Sequence, residues 1–130
     1  MATRAEVEVL PTREALMEAA AARFVSAAGA ALRASGRFVV ALAGGSTPKA
    51  LYALLAGAPW AGRVDWSRVH VFWGDERCVP PDDPASNYRM AREALLAHVA
   101  VAEGNVHRIR GEDDPRLAAA AYEQIGRAHV

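Results

Sequence analysis

Residues Phe38 to Ala43 form an unbroken run of apolar or small side chains that ends on two glycines, Gly44 and Gly45. Ser46, Thr47 and Pro48 follow, and a helical pattern begins at once. An apolar run without polar alternation reads as a strand covered on both faces, the pattern of parallel sheets. Pro48 suits the first helical position, with Thr47 as the expected cap. A strand, a tight turn and a helix start in so short a span restrict the chain to βα architecture. Such a turn aims backbone N–H groups and a helix N-terminus at whatever lies above it, which favours a phosphate or another anion. The spacing is neither the Walker pattern nor the dinucleotide GxGxxG pattern, and a glycine pair after a strand is often only a tight turn. The expected phosphate group is therefore Gly44, Gly45, Ser46 and Thr47 together, with Lys49 either adding charge or standing solvated on the first helical turn.

The rest of the chain repeats the βα rhythm. Val7 to Leu10 reads as a short strand. Thr12 is the expected N-cap of a long helix with Glu14 in its first turn, where a negative charge suits the helix dipole. Leu16, Ala20, Phe24, Ala28 and Leu32 recur at helical spacing, and Gly36 is the expected C-terminal cap. After the glycine turn, Leu51, Leu54 and Leu55 form the buried face of a helix closed by Gly57, Ala58 and Pro59. Val69 to Trp73 is the next strand, Gly74 to Asn87 a polar loop, and Asn87 to Val99 a helix capped by Ser86. Val106 to Ile109 is expected to be a fourth strand, and Asp114 and Pro115 open a last helix through Leu117, Ala121 and Tyr122. The order βαβαβαβα predicts a parallel sheet wrapped by helices.

Composition narrows the functional classes. At 130 residues and 52% hydrophobic, the chain can bury a core. Fifteen basic residues, all arginine but Lys49, balance fifteen acidic ones, so no global field favours nucleic acid or an anionic membrane. No stretch reads as a continuous membrane-spanning run. Cys78 is the single cysteine, which excludes an internal disulfide and fits a reducing cytoplasm. His70, His98, His107 and His129 show no metal-ligand spacing, so no metal is expected.

A second candidate group, Phe72-Trp73-Gly74-Asp75-Glu76-Arg77, directly follows the strand at 69–73. Ligands of open α/β sheets bind beyond the carboxyl ends of the strands, so these charges belong on the same edge as the glycine turn. Asp75 or Glu76 can serve as a base or hold a hydroxyl, and Arg77 can clamp a phosphate or carboxylate. For Glu76 an internal ion pair that orders the loop is the favoured role. Ser86, Asn87 and Tyr88 are expected to cap, to tie down the loop and to pack, respectively. Trp60, Trp66 and Trp73 are expected in the core or at its rim.

The run Leu42 to Tyr52, with Gly44-Gly45-Ser46-Thr47-Pro48-Lys49 at its centre, resembles the phosphate-binding segment of the 6-phosphogluconolactonases. Val69 to Pro80, through Gly74-Asp75-Glu76-Arg77, resembles their second signature, and Ser86-Asn87-Tyr88 and Asn105 to Ile109 continue it. Related glucosamine-6-phosphate deaminases share the glycine turn but carry an aromatic residue where this chain has Arg77. The resemblance implies a Rossmann-like three-layer sandwich, incomplete in this chain. It also implies hydrolysis of 6-phospho-D-glucono-1,5-lactone in the pentose phosphate pathway, a small sugar-phosphate substrate, and neither metal nor organic cofactor. It places Gly44, Gly45, Ser46 and Thr47 at the substrate phosphate, and Asp75 and Arg77 in the active site.

The chain departs from that family in lacking the later Gly-Asp-Gly-His-type segment whose histidine is the expected acid–base group. Its last six residues, Ile125 to Val130, do not fit the family and correspond to one reading frame of a common sequencing adapter. Residues 1–124 are accordingly expected to be the N-terminal part of one lactonase domain, and 125–130 a non-native tail. Two other functions remain open on the residues alone: a sugar-phosphate isomerase or deaminase on the same fold, and a sugar-phosphate-binding module without catalysis.

Overall fold

The computed structural model describes residues 3–129, so Val130 of the expected tail lies outside the described residues. Its elements are α1 (Arg13–Ser35), β1 (Phe38–Leu42), α2 (Ser46–Leu55), β2 (Val69–Trp73), α3 (Asn87–Ala94) and α4 (Pro115–Arg127). Short 3-10 turns fill parts of the connections.

Local capping chemistry sets most helix starts. The Thr12 side chain accepts from Ala15 N at the head of α1, Ser86 from Arg89 N at α3, and Asp114 from Arg116 N and Leu117 N at α4. Each satisfies amide donors that the first helical turn leaves without partners. Gly36 closes α1 at φ 78°, a left-handed position that favours glycine. At α2 the expectation needs correction. The helix starts at Ser46, two residues early, and the cap position belongs to Gly45 at φ 102°, with no side-chain cap. Thr47 lies inside the first turn because the Gly45 carbonyl already accepts from Lys49 N at 3.1 Å.

β1 and β2 pair in parallel, with Phe38 opposite Val69 and Leu42 opposite Trp73. Phe38, Val40, Leu42, Val69, Val71 and Trp73 therefore share one face of the sheet. That face carries α1, α2 and α3: Phe24 meets Phe38 edge-on at 5.4 Å, and Tyr88 meets Trp73 at 5.4 Å. Leu55, Val69, Val71, Ala91 and Leu95 are essentially sealed from solvent there. The three tryptophans belong to this core. The opposite face carries only α4, whose Tyr122 packs on Phe72 at 6.1 Å. Among the described residues nothing covers that face of β1, where Val39 is 42% exposed. The strand is thus covered on one side, not two.

Two expected strands are not formed. Val7 to Leu10 has no partner strand among the described residues, and Val7 and Val9 stand in solvent; the segment is tethered instead by Glu8 accepting from Arg23 Nη2 at 2.7 Å. The segment from Val106 joins the far side of β2 by a single bridge, Val71 to Val106, with His107 N donating to Val71 O at 2.8 Å. At the next step the Tyr122 hydroxyl intervenes. It accepts from Trp73 N at 2.8 Å and donates to the His107 carbonyl at 2.7 Å. One side chain thus occupies both groups that would continue the ladder. Helix α3 also ends early, at Ala94, where His98 Nε2 meets the Glu93 carbonyl at 2.8 Å and a 3-10 turn follows.

Helix α1 corrects the reading of its composition. It is 23 residues long and reaches a mean hydropathy of 1.3, enough by length and composition alone to cross a membrane. Alanine supplies most of that apolarity, and Met17, Ala21 and Ala28 are its buried positions.

Candidate functional site

Both candidate groups follow the carboxyl ends of adjacent parallel strands, so they share one edge of the sheet. Tyr52 of α2 sets where the glycine turn begins. Its hydroxyl accepts from Ala43 N at 2.8 Å and donates to the Ala43 carbonyl at 3.0 Å. Burial pushes the Tyr52 phenol up from its ordinary pKa, which keeps the donating proton in place. Gly74 N donates to Leu42 O at 3.1 Å, so the two strands stay in register as far as both turns.

Asn87 joins the two turns. Its Nδ2 donates to the Asp75 carbonyl and to Asp75 Oδ1, both at 3.2 Å. The same amide lies so close to Gly44 that a Cβ there would collide with Asn87 Oδ1 and Cγ. Gly44 is therefore required by packing against Asn87, whereas Gly45 is required by its backbone angle. Asn87 is buried, and the Asp75 side chain it holds stands at the surface.

Glu76 has a structural task of a different kind from the expected ion pair. Its carboxylate accepts from Asn87 N at 2.7 Å, Tyr88 N at 3.0 Å, the Ser86 hydroxyl at 3.0 Å and Arg77 N at 2.8 Å. No cation pairs with it among the described residues. A carboxylate on the free amides of a helix N-terminus needs none, because the amides and the helix dipole stabilise its charge.

Asp75 and Arg77 are both exposed. Neither takes part in an ion pair among the described residues. Arg77 borders a cavity of about 390 Å³ together with Gly74, Cys78, Gly111, Pro115 and Tyr122. Gly111 lies against the Arg77 and Val79 carbonyls with no room for a side chain. Ser46 and Thr47 are exposed on the first turn of α2 beside the glycines. Lys49 is set apart from this group, lining a groove between α2 and α3 with Arg89, Met90 and Glu93.

The histidines behave differently from what their spacing suggests. His70 from β2, His107 from the segment bridged to it, and His129 beyond α4 bring ring nitrogens within 4.8 Å of one another. His107 stacks on Phe72 at 4.6 Å, and His129 meets the same ring edge-on at 5.3 Å. Burial, then the neighbouring imidazoles, push His70 and His107 below the ordinary imidazole pKa. The convergence is a product of sheet pairing and of where α4 ends, which sequence spacing does not encode. The cluster lies on the α4 face of the sheet, beneath α4 and away from the strand ends.

Sequence reasoning missed the two tyrosine latches, Tyr52 and Tyr122, and the Glu76 seat. In each case the partner is a backbone group from another element, so no local pattern announces it.

The arrangement offers a helix start without a side-chain cap behind two glycines, next to an acid and an arginine that make no ion pair among the described residues. That combination suits a small anionic molecule with a phosphate at one end. The family model described as glucosamine-6-phosphate isomerases/6-phosphogluconolactonase matches residues 11–130. A 6-phosphogluconolactonase from Nostoc is 44% identical over 119 residues, 91% of this chain and 48% of its own length. One from Mycobacterium tuberculosis is 42% identical over 124 residues, 92% of this chain and 49% of its own. The crystal structure of a Thermotoga maritima 6-phosphogluconolactonase superposes with a TM-score of 0.78 at 30% identity, covering 88% of this chain and 50% of that one. The chain thus spans about half the length of the relatives it matches. With the glycine turn, the Asp75–Arg77 loop and the Asn87 clamp on one sheet edge, and a family match over nearly the whole chain, the chain belongs to the glucosamine-6-phosphate isomerase/6-phosphogluconolactonase family.

Proposed function

We propose that this chain supplies the phosphate-binding and anion-orienting half of a 6-phosphogluconolactonase active site. The substrate is 6-phospho-D-glucono-1,5-lactone and the product 6-phosphogluconate, within the pentose phosphate pathway and in a reducing cytoplasm. The observation that carries the reading is the bare start of α2. Gly45 caps it without a side chain, while the neighbouring α3 start is filled by Glu76. An open helix N-terminus behind a glycine turn receives a phosphate through backbone N–H groups, and Ser46 and Thr47 add hydroxyls at the same place.

With the phosphate there, the lactone ring extends toward the loop after β2. Water adds to the lactone carbonyl carbon, the bond from that carbon to the ring oxygen breaks, and a proton reaches the departing oxygen. Arg77 stabilises negative charge on the substrate, and Asp75, oriented by Asn87, holds a hydroxyl or the attacking water. A proton-transferring histidine belongs to the remaining half of the domain in this reading, since the histidine cluster of this chain lies under α4.

The test is a coupled assay of a completed enzyme, this chain joined to the second half of a relative, offered the phospho-lactone and glucosamine 6-phosphate in parallel. Lactone hydrolysis without deamination is expected. Arg77→Ala should lower kcat/KM about 30-fold or more, equivalent to losing a charge-assisted contact of roughly 2 kcal/mol. The 130-residue chain alone should not exceed spontaneous hydrolysis, because a missing general base costs about 10² to 10⁴-fold. Deamination in place of hydrolysis, or an unchanged kcat/KM for Arg77→Ala, overturns the assignment.

A further inference from the structure

Three histidines close on one patch of the sheet, and their ring nitrogens have nothing to bond to. His70 Nδ1, His107 Nε2 and His129 Nδ1 are sealed from solvent without a hydrogen-bond partner among the described residues. Buried polar atoms are nearly always paired, because an unpaired one gives up its hydration for nothing. Each of the three rings also offers a nitrogen within 4.8 Å of the other two. Three orphaned nitrogens in one place are a single unmet demand.

The frame around them comes from three separate segments. His70 lies on β2, on the face that also carries Phe72. His107 is fixed beside it through its own backbone, whose N–H donates to Val71 O at 2.8 Å. The His70 and His107 rings are nearly parallel, 7° apart in plane, with centroids separated by 6.3 Å. His129, just past the end of α4, enters from the third side, 5.4 Å from His70 and 4.7 Å from His107. Arg37 Nη2 donates to the His129 carbonyl at 3.0 Å and anchors that end of the chain against the sheet. Stacking on Phe72 occupies the ring faces, but it does nothing for nitrogens whose lone pairs lie in the ring plane.

We infer that His70, His107 and His129 together bind a divalent transition-metal ion, Zn²⁺ being the one that fits. The group holds imidazoles alone, with neither a carboxylate nor a thiol. Imidazole nitrogens suit Zn²⁺, Cu²⁺ and Ni²⁺, whereas Ca²⁺ and Mg²⁺ require oxygen ligands. Zn²⁺ has no geometric preference from its d electrons and accepts an irregular triad. Zn–N bonds of about 2.0–2.1 Å in a tetrahedral set bring the nitrogens to about 3.3 Å from one another, so the rings draw inward on binding. Three protein ligands leave a fourth position for water. The Arg37 charge opposes a cation here, so affinity rests on direct ligation and not on the surrounding field. A bound ion ties β2, the Val106 segment and the end of α4 together. His129 lies in the segment 125–130 that departs from the family, so the site is a property of this chain and not one expected of its relatives. The inference does not depend on the lactonase reading.

The test titrates ZnCl₂ into the untagged, metal-free 130-residue chain, followed by calorimetry and by NMR of the histidine ring nitrogens. The expected result is one Zn²⁺ per chain, with the ring signals of His70, His107 and His129 moving together and those of His98 staying in place. Tm should rise with Zn²⁺ concentration, because an ion that binds the folded state stabilises it by mass action. His129→Gln should lower the affinity about tenfold or more, since even the outer partners of metal ligands count for that much. That substitution sits at the chain end and leaves the core intact, and His98→Gln should change nothing. Three results overturn the inference: no Zn²⁺ binding by the parent chain, an affinity unchanged by His129→Gln, or ring shifts at His98 in place of the other three.

Discussion

Two strand–turn–helix junctions stand side by side on this sheet, and they solve the same problem in opposite ways. After β2, the chain turns through Gly74, Asp75 and Glu76, and Glu76 folds forward onto the start of α3, where its carboxylate takes two helix amides and the Ser86 hydroxyl. After β1, the chain turns through Gly44 and Gly45 into α2 with no side chain over the helix start. The electrostatic demand is equal, since each helix presents a partial positive charge and unpaired N–H groups at its first turn. One junction meets it with an internal anion and becomes structure. The other leaves it to an external anion and becomes a site. Asn87 couples the two, holding Asp75 on one side and packing against Gly44 on the other.

The sharpest way to break this comparison is to empty the filled junction. Glu76→Ala removes the acceptor of several amide and hydroxyl hydrogen bonds at once, and bonds to charged groups contribute about 1.5–3 kcal/mol each at most. A loss of about 3 kcal/mol in urea denaturation is expected, with Glu76→Gln intermediate. If Glu76→Ala were as stable as the parent, the α3 start would need no internal anion and the contrast would collapse.

The coupling comes next. Gly44→Ala places a methyl group into the Asn87 amide, and overpacking of this kind costs about 1–3 kcal/mol. A loss of about 2 kcal/mol is expected, and Asn87→Ala in the same chain should recover part of it by vacating the space. Additive losses in that double-mutant cycle would separate the two turns.

Gly45→Ala has a smaller expected effect, about 1–2 kcal/mol, because its cost is the left-handed backbone angle alone and nothing blocks the added methyl apart from ordinary contact with Pro48. Its distinguishing signature is weaker inorganic phosphate binding, followed through the amide resonances of residues 44–49. Shifts confined to other parts of the chain would remove the open junction from the phosphate site.

The smallest effect belongs to the charges of the site. Arg77→Ala should change stability by less than about 0.5 kcal/mol, since Arg77 is exposed and makes no ion pair among the described residues. The same substitution should reduce turnover of the completed enzyme strongly. A large loss of stability would return Arg77 to the structural side of the comparison.

Sequence alone determined the features that act within a few residues. Thr12, Ser86 and Asp114 cap amides two or three positions ahead, Gly36 ends α1 from within its own turn, and β2 runs over Val69–Trp73 as expected. The two signature segments and their shared sheet edge were legible for the same reason, because a short turn cannot carry its residues far from the strand it follows. Only the tertiary structure decided the rest. Whether Val7 to Leu10 pairs, how far the Val106 segment joins β2, and which helix start receives Glu76 all depend on what lies opposite. A strand is completed by its partner, a ladder can be interrupted by a hydroxyl from a distant helix such as that of Tyr122, and three histidines far apart in the chain can share one patch of a sheet. Local hydrogen-bonding rules extend over one turn of chain; pairing and burial are set by contacts across the whole molecule.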